Sequence, residues 1–298
     1  MRDKVYTSSV CNIPPCEKLR NVLYVELQNR CPKKCNYCKS YQGIPFKNHA
    51  LSAVENNTDI VLNVLENRFS VIHGSSDAEA IDRVYLGGSD ILLYPYDDLK
   101  CAVKNIQTKL HEKNNKIRKI SGYTTIKSLK QMSKKKLSDL NNLGINVLYI
   151  GVESGSTNVL NLANKGDTKE DIISVADKLR DLDFMLSVNI MPGLGNIQYY
   201  YEHIVDSVDV LVELAPKWIT FLSLDPTETK YDEIVREEDN RYLTSDELVS
   251  QARAILSGLE EKFRSDSPCL VAAYSNEVTS ICDNNFIFRS HIGGNKND

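Results

Sequence analysis

Cys31-Pro32-Lys33-Lys34-Cys35-Asn36-Tyr37-Cys38 places three cysteines within eight residues, with three and then two residues between them. The stretch follows Val22-Leu23-Tyr24-Val25-Glu26-Leu27, a run rich in β-branched and aromatic residues that predicts a strand. The thiols therefore sit in a loop just past a strand's C-terminal end. Soft sulfur ligands at this spacing suit an iron–sulfur cluster or zinc. A cubane cluster has four irons, so three protein thiolates leave one iron open. A structural zinc site needs four closed ligands, yet no second cysteine pair lies nearby and His49 stands alone. Plain burial of three small residues does not suit a loop flanked by Asn29, Arg30, Lys33, Lys34 and Asn36.

Outward from this loop, strand-like runs alternate with amphipathic segments. Helical spacing covers Ala50–Phe69, then a strand at Val84–Leu86 leads into Gly87-Gly88-Ser89-Asp90. Leu99–Leu110 predicts a helix, Ile117–Gly122 a strand, and Leu129–Leu143 a helix closed by Gly144. Asn146–Val152 is nearly all apolar, the pattern of a strand covered on both faces. Asp167–Leu182, Met185–Met191, Tyr199–Leu214 and Lys217–Leu224 continue the alternation. A last helix opens at Thr244-Ser245-Asp246-Glu247, and Cys269–Tyr274 reads as a further strand. Six β-then-α units predict a parallel sheet with right-handed crossovers, as an open doubly wound sheet or a barrel-like arc. Every polar motif directly follows a strand, and in a barrel those ends meet at one mouth.

Three motifs besides the cysteines carry candidate chemistry. Gly87 and Gly88 let backbone approach a ligand closely. Glu153, in Glu153-Ser154-Gly155-Ser156, needs a partner after a strand that is buried on both faces; Ser154 or Ser156 also suits a helix cap. In Ser187-Val188-Asn189-Ile190-Met191-Pro192-Gly193-Leu194-Gly195, Ser187 and Asn189 alternate with apolar residues, so one polar side chain points inward. Hydroxyls of Ser121-Gly122-Tyr123-Thr124 and the loop Asp225–Thr229 are candidates for substrate contact by position alone.

Cys-x3-Cys-x2-Cys with Tyr37 directly before the last cysteine resembles the radical S-adenosylmethionine (SAM) superfamily. The string Gly151-Val152-Glu153-Ser154-Gly155-Ser156, followed by Val159-Leu160 and Asn164-Lys165-Gly166, resembles one subgroup within it. That subgroup includes the oxygen-independent coproporphyrinogen dehydrogenases, the Elongator catalytic subunit and the methylthiotransferases. The resemblance implies an α/β fold, a partial (β/α)6 TIM-type barrel with a short C-terminal extension. It implies a [4Fe–4S] cluster on Cys31, Cys35 and Cys38, with SAM on the open iron. Gly87 and Gly88 align with the family's Gly-Gly-Glu segment, which contacts the SAM amino group; Ser89 and Asp90 stand where that segment has Glu. Glu153 and Ser154 would meet the amino group or the ribose. Ser187, Asn189, Met191, Pro192 and Gly193 would form the adenine-binding segment, and Tyr37 would lie near the adenine through its backbone. The implied chemistry is reductive cleavage of SAM to methionine and a 5′-deoxyadenosyl radical, which abstracts hydrogen from substrate. It needs an electron donor such as a flavodoxin or ferredoxin.

The expected division is an N-terminal extension over 1–19, a radical SAM core over 20–225 and a C-terminal helix and extension over 226–298. With 298 residues and 42% hydrophobic content the chain can bury a full core. No apolar run reaches membrane-span length and Met1-Arg2-Asp3-Lys4 opens no signal peptide, so a cytoplasmic protein with no membrane partner is expected. Cys11 with Cys16, or Cys269 with Cys282, would be needed for a second cluster; the alternative is burial as small apolar residues, and the same holds for Cys101. Net charge is −4, yet the segment Lys104–Lys136 is strongly basic and holds Glu112 as its one acid. That block is a solvated helix face or a footprint for RNA. His49, His73, His111, His203 and His291 lack ligand-like spacing, and most are expected at the surface. Coproporphyrinogen decarboxylation is not expected, since that family carries a longer C-terminal domain, nor is methylthio transfer, since the N-terminal cysteines do not form its second-cluster set. The primary expectation is a small-molecule substrate. The alternatives are RNA modification through the basic block and a non-enzymatic metal-binding module.

Overall fold

A computed structural model describes residue 14 and residues 22–39, 45–73, 81–222, 224–227, 229–237, 240–263, 269–274 and 286–292. Cys11, Cys16 and Cys282, and the expected N-terminal extension apart from residue 14, lie outside the described residues. In chain order the elements are β1 (Val22–Glu26), β2 (Gln28–Asn29), β3 (Lys47–Asn48), α1 (Leu51–His73), β4 (Arg83–Gly87), α2 (Tyr96–Glu112), β5 (Lys119–Thr124), α3 (Ile126–Gln131) and α4 (Lys134–Asn142). Then come β6 (Ile145–Glu153), α5 (Thr157–Leu162), α6 (Lys169–Leu179), β7 (Met185–Ile190), α7 (Tyr200–Leu214), β8 (Trp218–Leu222), α8 (Lys230–Glu237), α9 (Ser245–Lys262), β9 (Cys269–Tyr274) and β10 (Phe286–Ile292). They fall into two compact units. The first comprises Met1–Pro32, Gly43–Thr124 and Lys135–Leu148; the second comprises Lys33–Gln42, Thr125–Lys134 and Tyr149–Asp298.

In the first unit β4 pairs in parallel with β1 and with β5, in register Tyr24↔Tyr85 and Tyr85↔Ser121. Leu23, Val25, Val84 and Leu86 are completely buried, so these strands read as apolar runs for the reason parallel strands do: both faces are covered. Leu99, Val103, Ile106 and Leu110 form the buried stripe of α2, at the helical spacing seen in the sequence. β2 and β3 make a separate antiparallel ribbon, Gln28↔Asn48.

In the second unit β8 lies in parallel between β7 and β9, and β10 closes back antiparallel on β9. Capping boxes start two helices: Thr168 with Asp171 on α6, and Thr244 with Glu247 on α9. The predicted N-terminus at Thr244 is thus found, while α6 starts two residues later than the predicted Asp167.

Three differences from the sequence reading have physical causes. The single helix expected over Leu129–Leu143 is two, α3 and α4. Ile126, Leu129, Leu137 and Leu140 would share one stripe of a continuous helix, so periodicity reads through the break. Met132 leaves the helical backbone at ψ 136°. The carbonyls freed at Leu129, Lys130 and Met132 accept from Lys178 Nζ at 3.0, 2.6 and 3.0 Å, a donor supplied by α6. The short helices α5 and α8 each span about two turns, too little for a periodic signal; of α5 only its cap, Ser156, shows in the sequence. β10 lay in the tail of mixed signals.

Candidate functional site

Most of the cysteine loop belongs to the second unit, where it is tied down by the segment that follows α5. Asn36 N–H donates to Ala163 O at 2.9 Å, and Asn36 Nδ2 to Leu162 O at 2.9 Å. Asn164 Nδ2 donates in return to Lys34 O at 2.8 Å. Lys33 Nζ donates to Asp167 Oδ2 at 2.9 Å and to Lys165 O at 3.2 Å. Two further ties come from after β8: Tyr231 N–H donates to Asn36 O at 3.2 Å, and Lys39 pairs with Asp225 at 2.8 Å. Asn164 holds a left-handed conformation, φ 50°, which Asn tolerates because it can hydrogen-bond locally.

Glu153, the last residue of β6, is buried and left-handed, φ 68°. A bulky residue held there is strained, and such strain clusters at functional sites. Its Oε1 accepts from Lys165 Nζ at 3.2 Å, and Lys165 Nζ also lies 3.3 Å from Tyr37 Oη. Glu153 Oε2 is buried without a partner among the described residues. Burial works against the Lys165 charge, but the nearby Glu153 and Asp167 carboxylates outweigh it and hold the ammonium above the ordinary lysine range. Burial, helped by Glu153, pushes the Tyr37 phenol well up, so it stays neutral. Burial also raises the Cys35 thiol, while Lys165 and Lys33 pull it back. Lys165 is the site residue whose role the sequence reading missed. It was visible only as part of Asn164-Lys165-Gly166.

The remaining second-unit candidates divide. Tyr37 and Met191 come together, packing with Val159, Ala163, Leu194 and Tyr231 in one apolar cluster. Met191 N–H donates to Glu153 O at 2.9 Å, linking the ends of β6 and β7. Pro192 is buried in the turn that follows, and Gly193, at φ 89°, donates its N–H to Gln251 Oε1 at 2.8 Å. Ser187 and Asn189 are buried on β7. Ser154 is turned to structure: its Oγ lies 2.7 Å from His203 Nδ1 and accepts from Ser156 N–H at 3.1 Å. Ser156 caps α5, the capping role anticipated for it. His203 is completely buried, against the surface position expected of most histidines, because α7 turns it onto Ser154.

In the first unit, Gly87 ends β4, and a Cβ there would lie 2.4 Å from Tyr24 Oη. Gly88 holds φ 132°, and its Cβ would lie 2.8 Å from Gln28 Oε1. Ser89 Oγ is buried with no partner among the described residues. Asp90 caps the 3-10 turn Ile91–Leu93: its Oδ1 accepts from Leu92 N–H at 3.0 Å and from Thr124 Oγ1 at 3.0 Å. Gln28 Nε2 donates to Asp90 O at 2.7 Å. Ser121 Oγ donates to Val84 O at 3.4 Å, so two of the third-strand hydroxyls bond within the unit.

Among the described residues no three His, Cys, Asp or Glu side chains meet at one point where a single ion would sit. A cubane asks for something else, three thiolates each on a different iron, and three part-exposed thiols on one short loop suit that donor set. Glu153 Oε2, buried without a partner among the described residues, suits contact with a polar group of a ligand such as SAM. Cys269 is buried as expected, whereas Cys101 is exposed. In the basic block, Lys109 pairs with Asp59 at 2.6 Å, Lys134 with Asp181 at 2.5 Å, Arg118 with Asp82 and Lys130 with Asp171. No helix among the described residues is long and apolar enough to cross a membrane.

Parallel strands, intervening helices and a thiol-rich loop after the first strand define an α/β protein of cluster-binding type. Residues 25–211 match the radical SAM superfamily, and the chain belongs to it; its members are enzymes that carry a [4Fe–4S] cluster and SAM. The chain is 24% identical over 166 residues to the heme chaperone HemW of Buchnera aphidicola subsp. Schizaphis graminum (strain Sg), covering 56% of this chain and 41% of that one. It resembles the structure of coproporphyrinogen III oxidase (HemN) from Escherichia coli with a TM-score of 0.56 at 17% identity, covering 82% of this chain and 54% of that one. It resembles histidine-tagged anSMEcpe with bound AdoMet with a TM-score of 0.57 at 15% identity, covering 81% and 58%. These likenesses show the partial-barrel α/β fold expected from the sequence. The chain spans about half the length of these relatives.

Proposed function

We propose that this protein reductively cleaves SAM at a [4Fe–4S] cluster held by Cys31, Cys35 and Cys38, and abstracts hydrogen from a small-molecule substrate. The observation that carries the reading is Glu153. It is buried, strained and fixed by Lys165 through one oxygen, with the other oxygen unpartnered among the described residues.

In this reading the cluster and SAM supply one-electron cleavage of a carbon–sulfur bond, giving methionine and a 5′-deoxyadenosyl radical. The chain's own residues bind and orient. Lys165 holds Glu153 Oε1, so that Oε2 accepts from the SAM amino group or ribose. Tyr37, Met191 and Leu194 form an apolar wall for the adenine. Gly87 and Gly88 bare the backbone, and Ser89 Oγ donates to a polar end of the ligand. Ser187 and Asn189, both buried on β7, are further contacts for the ligand. The electron comes from a flavodoxin- or ferredoxin-type donor, and the reading places the enzyme in the cytoplasm.

A small molecule is preferred to RNA because Lys109, Arg118, Lys130 and Lys134 each already face an aspartate. Counterion release on RNA binding needs cations not already neutralised.

Anaerobic reconstitution with iron and sulfide, reduction in the presence of SAM, and quantification of 5′-deoxyadenosine test the reading. Product formed by the wild type and stimulated by a small-metabolite fraction, but lost in Cys35→Ala, is the expected result. Product absent with an intact cluster sinks the cleavage assignment. Stimulation by RNA alone sinks the small-molecule assignment.

A further inference from the structure

The segment Leu162–Asp167 meets the cysteine loop at residues interleaved with the thiols rather than at the thiols themselves. Backbone and amide bonds engage Lys34 and Asn36. Among the described residues the ionic contact between segment and loop is Lys33–Asp167, and it is well shielded: the Asp167 side chain is 3% exposed and that of Lys33 17%. Lys33 sits two residues after Cys31 and two before Cys35. The arrangement therefore places a cation inside the candidate cluster motif and neutralises it with a carboxylate 134 residues further along the chain.

We propose that Lys33–Asp167 is an ionic latch that positions the cluster loop and tunes the cluster's reduction potential. The proposal rests on the assignment of the cluster to Cys31, Cys35 and Cys38. Its physical content is a sign. A buried charge acts strongly on a neighbouring group whose own charge changes, and reduction makes the cluster more negative. With both partners present their fields largely cancel. Asp167→Asn keeps the shape and an acceptor oxygen but leaves the Lys33 cation uncompensated, which favours the reduced cluster. Lys33→Gln leaves the Asp167 carboxylate uncompensated, which favours the oxidised cluster. A segment that merely braced the loop would respond to either change by loosening in the same way. Asp167 and Lys33 are thus positioning residues, with no contact to SAM or substrate assigned to them.

The test is a spectroscopic redox titration of the reconstituted, SAM-free protein, reading the cluster's electron paramagnetic resonance signal against potential. Asp167→Asn is expected to shift the midpoint upward and Lys33→Gln downward, while Lys33→Gln/Asp167→Asn returns near the wild type. Each single variant is expected to lose iron to a chelator roughly tenfold faster, since the ion pair that ties the loop to the Leu162–Asp167 segment is lost. Shifts of the same sign, or no shift in either single variant, overturn the latch. Should a single variant fail to load a cluster, the neutral pair decides: loading at the wild-type level supports the latch and failure overturns it. Cys35→Ala run alongside separates the two claims. If it retains a full cluster, the ligand assignment itself falls; if it loses the cluster while the potentials stay unmoved, only the latch falls.

Discussion

Lys165 Nζ lies 3.2 Å from Glu153 Oε1, and both side chains are almost fully buried, at 7% and 9% exposure. Removing one partner of such a pair strands a charge in a low-dielectric interior. Lys165→Met is therefore expected to lower stability by about 3 kcal/mol. Adding Glu153→Gln is expected to recover part of that loss. Denaturant titration of the anaerobic protein reads both effects, and a Lys165→Met variant as stable as the wild type would show that the pair contributes little.

Burial pushes the His203 imidazole down from 6.5 to about 4. The unfolded chain binds a proton near pH 6.5 that the folded protein binds only near pH 4. Stability from this group is full above the unfolded value and is lost as pH falls toward the folded one. Between pH 7 and pH 5 the loss is expected to be about 2 kcal/mol. His203→Gln should flatten that part of the profile. Paired denaturation curves at the two pH values measure it; an unchanged slope in the variant would assign the acid sensitivity elsewhere.

Asp90 accepts from Leu92 N–H and Thr124 Oγ1, so its carboxylate secures the turn that follows Gly87-Gly88. Asp90→Ala is expected to cost about 2 kcal/mol, combining a lost cap with a stranded hydroxyl. Asp90→Asn retains the accepting oxygen and should cost less than half as much. Equal losses in the two variants would mean that the carboxylate charge, not its acceptor geometry, matters.

Lys178 places one ammonium against three carbonyls at the end of α3. Lys178→Met keeps most of the stem's bulk and removes the donor. A loss of about 2 kcal/mol is expected, with faster amide exchange in α3 than in α6. Exchange unchanged in α3 would mean that water replaces the lysine at no cost.

Gly88 holds φ 132°, and a Cβ would press on Gln28 Oε1. Gly88→Ala is expected to destabilise by about 2 kcal/mol through backbone strain and, if the proposed SAM contact holds, to weaken SAM binding. Isothermal titration with SAM on the reconstituted protein checks the second part; an unchanged affinity would remove Gly88 from the binding surface.

The parts of the fold legible in sequence were those with local signals. Val22–Leu27 reads as a strand because it is rich in β-branched and aromatic residues, and Asn146–Val152 because it is nearly all apolar, as a strand covered on both faces is. Thr244 read as a helix start because its capping box lies within four residues. The break between α3 and α4 was not legible, since the lysine that satisfies the freed carbonyls comes from position 178. The burial of His203 was not legible, because a lone histidine on an amphipathic helix carries no mark of its buried partner, Ser154.

By itself the sequence determined the chemistry on offer: thiols at cluster spacing, a carboxylate at the end of a buried strand, and glycines where backbone is bared. Each is a matter of residue type and short-range spacing, which covalent connectivity alone sets. Only the tertiary structure decided which charges meet. Lys165 with Glu153, and Lys33 with Asp167, are pairs made by how β6, α5 and the cysteine loop pack. Whether a buried ion is satisfied or stranded depends on what the fold brings within about 3 Å of it.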